Sequence, residues 1–162
     1  MLIIVICAIW ASLLFCHILK TGFSTEYFDV KYYPMVVNDI RDKDNAVHFP
    51  KTIPPEAKDV QFFYYSSGMG GETLYLGFDI DESYIENEKK KIYLKTVQKD
   101  EAAHYFGFAR GSYRMSADRY SDFYLIKSEL VNPNSEQLFF SGYGGIATKK
   151  GSILYYYVNP EG

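Results

Sequence analysis

The first 19 residues carry no charge, and this feature constrains the chain more than any other. Leu2 to Leu19 reads LIIVICAIWASLLFCHIL, in which eleven residues are Leu, Ile, Val or Phe and only Ser12 and His17 are polar. As a helix rising about 1.5 Å per residue it reaches about 27 Å, close to the roughly 30 Å hydrocarbon core of a bilayer. A soluble core helix of this length keeps one wet face, and this run has none. Residues 1–19 therefore read as a transmembrane anchor or signal segment. Three fates stay open: a retained anchor, cleavage near Gly22-Phe23-Ser24, or lipidation at Cys16, where the preceding Phe15 is bulkier than such sites favour. Lys20 is the first charge after the run, too little to decide the side of the membrane.

All 37 charged residues, 17 Lys+Arg and 20 Asp+Glu, follow the leader, and the net charge is −3. No long basic run exists, so the phosphate-neutralising surface of a nucleic-acid partner is missing. Of the 29 aromatic residues 27 lie after Lys20, enough apolar surface to offset an ordering cost of about 1–2 kcal/mol per residue. The body is thus an ordered domain, with no length for a second. The chain's two cysteines, Cys7 and Cys16, both fall in the leader, where a helix would put them on opposite faces. The body has no thiol nucleophile and no cysteine-ligated zinc.

Residues 20–59 read as a connector. Met35-Val36-Val37-Asn38-Asp39-Ile40 after Pro34 suits a short helix with proline in its first turn. His48-Phe49-Pro50-Lys51-Thr52-Ile53-Pro54-Pro55 reads as an extended, turn-punctuated lead-in. The domain proper is expected over 60–162. Val60–Tyr65 and Thr73–Phe78 are β-branched and aromatic runs joined by Ser66-Ser67-Gly68-Met69-Gly70-Gly71, an antiparallel hairpin. In its second strand Leu74, Leu76 and Phe78 alternate with Thr73, Tyr75 and Gly77, one face aliphatic and the other presenting Tyr75.

Asp79 and Glu82 have capping-box spacing, which predicts a helix from Ile80 to about Tyr93 with Ile85 and Ile92 on its apolar stripe. Either the helix ends there or Ile92–Val97 turns into a short strand. Further strands are expected at Asp122–Leu130, Gln137–Ser141, Gly145–Thr148 and Ser152–Val158, with turns at Asn132-Pro133-Asn134, Gly142-Tyr143-Gly144 and Lys149-Lys150-Gly151. The order predicts an α+β domain: a mostly antiparallel sheet of five or six strands, one main helix on one face, and an N-terminal hydrophobic helix before it.

Motifs that carry chemistry are sparse. Ser67-Gly68-Met69-Gly70-Gly71 leads into a strand and lacks the lysine of a phosphate loop, so it reads as a turn. Asp79, Asp81 and Glu82 resemble the start of a calcium loop, but Tyr84 stands where the central glycine belongs, and helix capping explains the same residues. No cofactor or metal is called for. His104 is the default base of a small hydrolase-like enzyme, with Asp100, Glu101 or Asp118 orienting it and Ser112 or Ser116 as nucleophile. Arg110 and Arg114, with Arg119 nearby, suit a carboxylate or phosphate clamp. Sixteen tyrosines, Tyr75 among them, suit a stacking or protein-binding surface. His104, Arg110, Arg114 and Tyr75 are the candidate binding residues.

The string His48-Phe49-Pro50, Ile53-Pro54, Ala57, Val60, Phe62, Tyr64, Gly70-Gly71 and Leu74-Tyr75-Leu76-Gly77-Phe78 resembles uncharacterised membrane-anchored or lipoprotein-like proteins of Gram-positive bacteria. Gly144-Gly145-Ile146-Ala147 with Ile153-Leu154-Tyr155-Tyr156 is similar to their closing hairpin. The resemblance covers about half the domain and carries no activity. It implies an anchored, extracytoplasmic α+β domain at the cell membrane. The expected function is therefore a tethered binding domain for a cell-envelope protein or glycan, without nucleic acid. The alternatives are the His104 enzyme and an immunity-type inhibitor of a toxin.

Overall fold

The computed structural model describes residues 9–13, 15–16, 24–40, 46–67, 71–91, 94–97, 119–126 and 143–159. Within them, seven antiparallel strands form one sheet: β1 (Thr25–Tyr27), β2 (Lys58–Ser66), β3 (Glu72–Asp79), β4 (Leu94–Val97), β5 (Asp122–Ile126), β6 (Tyr143–Lys149) and β7 (Ser152–Asn159). Two helices, α1 (Tyr33–Ile40) and α2 (Glu82–Lys91), and a 3-10 turn at Val30–Tyr32 complete the framework. The α+β class with an antiparallel sheet is as expected. The strand at Thr25–Tyr27 is not, because three residues carry no periodicity that a sequence reading can detect.

Spatially the order is β1-β2-β3-β7-β6-β5-β4. Two meanders, β1 to β3 and β4 to β7, are joined side by side through β3 and β7, whose eight residues pair from Glu72↔Asn159 to Asp79↔Ser152. Helix α2 bridges the meanders on one face, with Tyr84 edge-on to Phe78 of β3 and Lys89 Nζ 5.5 Å from the Tyr124 ring centroid of β5.

The strands at the centre are buried on both faces. Ile153 to Tyr157 of β7 and Leu74 to Phe78 of β3 are buried without a break. One face packs Phe62, Leu74, Leu76, Phe78, Ile146, Ile153, Tyr155 and Tyr157 beneath the helices. The opposite face packs Phe63, Tyr75, Tyr120, Phe123, Ala147, Leu154 and Tyr156. This corrects the expectation that the second face presents Tyr75, which is only 5 % exposed. A strand that must be dry on both sides uses apolar residues at every position, and aromatic side chains fill such positions as well as aliphatic ones.

Residues 20–59, expected to act as a connector, supply Tyr33, Val36, Val37, Ile40, Ala46 and Phe49 to the first core. Helix α1 does carry Pro34 in its first turn, where a missing N–H costs nothing. Its Val36, Val37 and Ile40 fall on one stripe, and Tyr33 meets Phe62 edge-on at 5.9 Å.

Two further differences have local causes, and one open alternative is resolved. The helix after β3 begins at Glu82 rather than Ile80, because Ile80 N–H donates to the Gly151 carbonyl, at 2.9 Å, while Asp81 accepts from Tyr84 and Ile85. Leu94–Val97 takes the strand alternative, paired with β5. Tyr143 and Gly144 lie inside β6 instead of in a turn, and Gly145, in the strand as expected, pairs with Tyr156. The β6–β7 turn keeps a glycine at positive φ, Gly151 at +75°, at its second central position. In β2, Asp59 takes φ +48° where the register slips between Lys58 and Gln61, a bulge that aspartate tolerates better than most residues.

The expected strand at Gln137–Ser141 lies outside the described residues. The leader is described at 9–13 and 15–16, which are helical. Among the described residues no helix is long and apolar enough to cross a membrane.

Candidate functional site

Of the four nominated residues, His104, Arg110 and Arg114 lie outside the described residues. Tyr75 belongs to the second core, its ring 6.1 Å from that of Phe63, and burial pushes its phenol far above the usual tyrosine range. Three other places gather polar or aromatic side chains.

The first is the end of the sheet where β3 enters α2. Asp79 closes β3, and its Oδ1 accepts from Ser152 Oγ at 2.7 Å and from Arg119 at 3.1 Å. One turn on, Glu82 accepts from the Gly151 N–H at 3.0 Å. The two residues of the expected capping box thus bind the β6–β7 hairpin, because antiparallel pairing sets Ser152 directly opposite Asp79. The Ser152 hydroxyl, then the Arg119 charge, hold the Asp79 carboxyl below its ordinary value of 3.8. A depressed folded pKa contributes stability above the unfolded pKa and loses it as pH falls through the folded value. Acid unfolding should therefore show a component below about pH 4 that Asp79→Asn removes. The component is small, since both side chains of the Asp79–Arg119 pair are 35 % exposed and solvent screens it. Melting temperatures of both proteins across that pH range check it.

The second place lies under α2. Tyr155, fully buried, donates to the Tyr84 hydroxyl at 3.3 Å, and Glu88, buried on the same helix, accepts from Lys91. Burial raises both phenols, and Tyr155 the further because it is the more deeply buried, with Tyr84 and Glu88 adding to the rise. Both phenols stay protonated near neutrality.

Beside them His48 Nε2 lies 3.0 Å from the Tyr156 carbonyl. A carbonyl only accepts, so Nε2 carries the proton. Phe49 and Tyr155 flank the imidazole, at ring separations of 4.6 and 6.2 Å. His48 latches the proline-rich lead-in onto β7, and Tyr33 Oη donates to the Pro50 carbonyl beside it.

The third place is the β1 edge, where half-buried tyrosines gather at the rim of the sheet. Tyr27 stacks on Tyr32 at 4.4 Å and on Tyr64 at 6.0 Å. Lys31 Nζ sits 4.9 Å from the Tyr32 centroid and pairs with Asp29 at 2.8 Å. Tyr64 Oη donates to Glu72 at 3.4 Å, and Phe28 packs on Phe63 at 5.3 Å. Half-buried tyrosines offer a planar apolar face and a hydroxyl at small entropy cost, chemistry suited to a protein surface or a sugar ring. The edge escaped the sequence reading because Tyr27, Tyr32 and Tyr64 are scattered and meet only when β1 pairs with β2.

Among the described residues no group of three His, Cys, Asp or Glu side chains is placed to hold a metal ion. No family model, curated protein or solved structure matches the chain.

Proposed function

We propose that this protein is a membrane-tethered interaction domain on the outer side of the cell membrane, held by residues 1–19, which recognises a cell-envelope protein or glycan. One observation carries the reading. In the helical part of the leader Ile9, Trp10, Leu13 and Phe15 are 55–64 % exposed, and none belongs to either core cluster. Four large apolar side chains left outside the protein's own core need another apolar medium, and a bilayer supplies it.

The recognition surface in this reading is the β1 edge with Tyr27, Tyr32 and Tyr64. The central strands are buried on both faces, whereas Tyr27, Tyr32 and Tyr64 pack against the first core and stay half-exposed at the edge. A reporter enzyme active only outside the cell, fused after Gly162, tests the topology; the full chain should give activity, pelleting with membranes. Removal of residues 2–19 should abolish both. Reporter activity confined to the cytosol, or full-length chain in the soluble fraction, would refute the tether. Alanine at Tyr27 and Tyr32 together should abolish capture of envelope components by the otherwise folded chain, and undiminished capture would move recognition elsewhere.

A further inference from the structure

Tyr27, Tyr32 and Tyr64 all pack against the first core, so the three rings share one side of the sheet. Glu72 stands on that side as well, two residues before Leu74 in β3, and accepts from Tyr64 Oη. Asp39, exposed on α1, is close enough for its charge to act on the Tyr64 phenol: burial first, then Glu72 and, more weakly, Asp39 raise it above the usual tyrosine range. Asp29 joins the set through Lys31, whose Nζ lies over the Tyr32 ring. These contacts gather three carboxylates, Asp29, Asp39 and Glu72, and one ammonium, that of Lys31, around three phenol rings. Glu26 is not among them, because it alternates with Tyr27 and belongs to the other side of β1.

Lys31 shows how such a rim holds a cation. Its ammonium takes the Tyr32 ring, 4.9 Å away, and the Asp29 carboxylate, 2.8 Å away, together. The ring face attracts the charge through its quadrupole, and the carboxylate neutralises it. The side chains of Lys31 and Asp29 are 65 % and 50 % exposed, so solvent screens the pair and exchanging one ammonium for another costs little. A sugar ring stacked on Tyr32 would displace Lys31 from that face and meet Asp29 with a hydroxyl in place of a charge. An ammonium brought by a partner restores both contacts, and a neighbouring one meets the charges of Asp39 and Glu72 around Tyr64. Charge complementarity therefore selects the occupant. A lysine side chain also lays its aliphatic stem along aromatic surface while its head stays wet.

Resting on the reading of this edge as the recognition surface, we propose that its occupant is a lysine-bearing segment of an envelope protein. One partner lysine takes the place of Lys31 over Tyr32 and beside Asp29, and a second meets Asp39 and Glu72. Lys31 is then a built-in competitor that fills the site until the partner arrives.

Fluorophore-labelled tetralysine, titrated into the full chain in non-ionic detergent micelles and followed by anisotropy, tests this. Surface ion pairs and cation–π contacts each change affinity about two- to fivefold, so Asp29→Asn, Asp39→Asn and Glu72→Gln together should weaken binding about tenfold or more. Asp81→Asn, Glu86→Gln and Asp122→Asn remove the same charge beside α2, within it and on β5, across the sheet from β1, and should weaken binding less than about twofold. Lys31→Gln should tighten binding about threefold, a change of sign that a surface needing Lys31 for contact cannot give. Tetralysine acetylated on its side chains should not bind. Equal losses in the two triple variants, weaker binding by Lys31→Gln, or undiminished binding of the acetylated peptide overturns the proposal. An N-acetylglucosamine tetramer that binds through Tyr32 where tetralysine does not overturns it in favour of a glycan. If tetralysine fails while Tyr27→Ala with Tyr32→Ala still abolishes envelope capture, the cationic occupant falls and recognition at this edge stands. If that capture is undiminished as well, both fall.

Discussion

Replacing Tyr155 with alanine should destabilise the domain by about 4 kcal/mol, the middle of the range for a buried aromatic. The ring lies at the crossing of three elements. It packs against Phe49 of the lead-in and Phe78 of β3, each at 5.9 Å, and its hydroxyl reaches Tyr84 of α2 at 3.3 Å. Tyr155 is fully buried, and its neighbours come from separate segments pinned by their own pairings, so they cannot collapse into the space it leaves. Tyr155→Phe keeps the ring and loses one long hydrogen bond, a change of about 1 kcal/mol or less. Thermal unfolding of the full chain in detergent micelles, followed by near-ultraviolet circular dichroism, separates the two. Equal effects of the two substitutions would mean that the hydroxyl, not the packing, is what Tyr155 supplies.

Gly145→Ala should cost about 3 kcal/mol, which for a chain of this size lowers the melting temperature by about 10 °C. A methyl group at this position would stand 2.2 Å from the Tyr124 carbonyl oxygen, 2.2 Å from the Tyr156 hydroxyl and 2.6 Å from Tyr156 Cζ. Tyr156 lies across the glycine opposite it in the register, and its hydroxyl reaches over β6 to donate to Tyr124 O at 3.4 Å. Strand glycines mark such close approaches. One obstacle is a side chain and the other is backbone, which sets the form of the rescue. In the double variant Gly145→Ala, Tyr156→Leu the ring clash is gone and the carbonyl clash remains, so the cost of alanine should shrink without vanishing. A double-mutant cycle by thermal unfolding measures the coupling, and a cost independent of residue 156 would refute the overlap.

The hairpin of β2 and β3, α1 after Pro34, and the strands β5, β6 and β7 were legible because runs such as Thr73–Phe78 and Ser152–Val158 are β-rich and bounded by turn residues. What misled was the inference from alternation. Leu74-Tyr75-Leu76-Gly77-Phe78 alternates aliphatic with aromatic, and an aromatic facing water was the simpler reading. Yet neither this run nor Ile153-Leu154-Tyr155-Tyr156-Tyr157 contains a charged residue, and an uninterrupted uncharged run is the mark of a strand dry on both sides. The same blindness applied to His48. It read only as part of an extended, turn-punctuated lead-in, and its bond to the Tyr156 carbonyl, 108 residues away, has no trace in local sequence. Asp79 and Glu82 had capping-box spacing, but a hairpin distant in the chain offered Gly151 and Ser152 and took both carboxylates.

The sequence by itself determined the division into an uncharged apolar leader and an aromatic-rich α+β body, because both follow from composition and from periodicities of a few residues. Only the tertiary structure decided that β7 lies beside β3, that both sheet faces are dry, and that Tyr27, Tyr32 and Tyr64 meet at the open edge. Strand order and face burial are set by which distant surfaces exclude water from each other, and the free energy of that exclusion belongs to pairs of segments, not to any one of them.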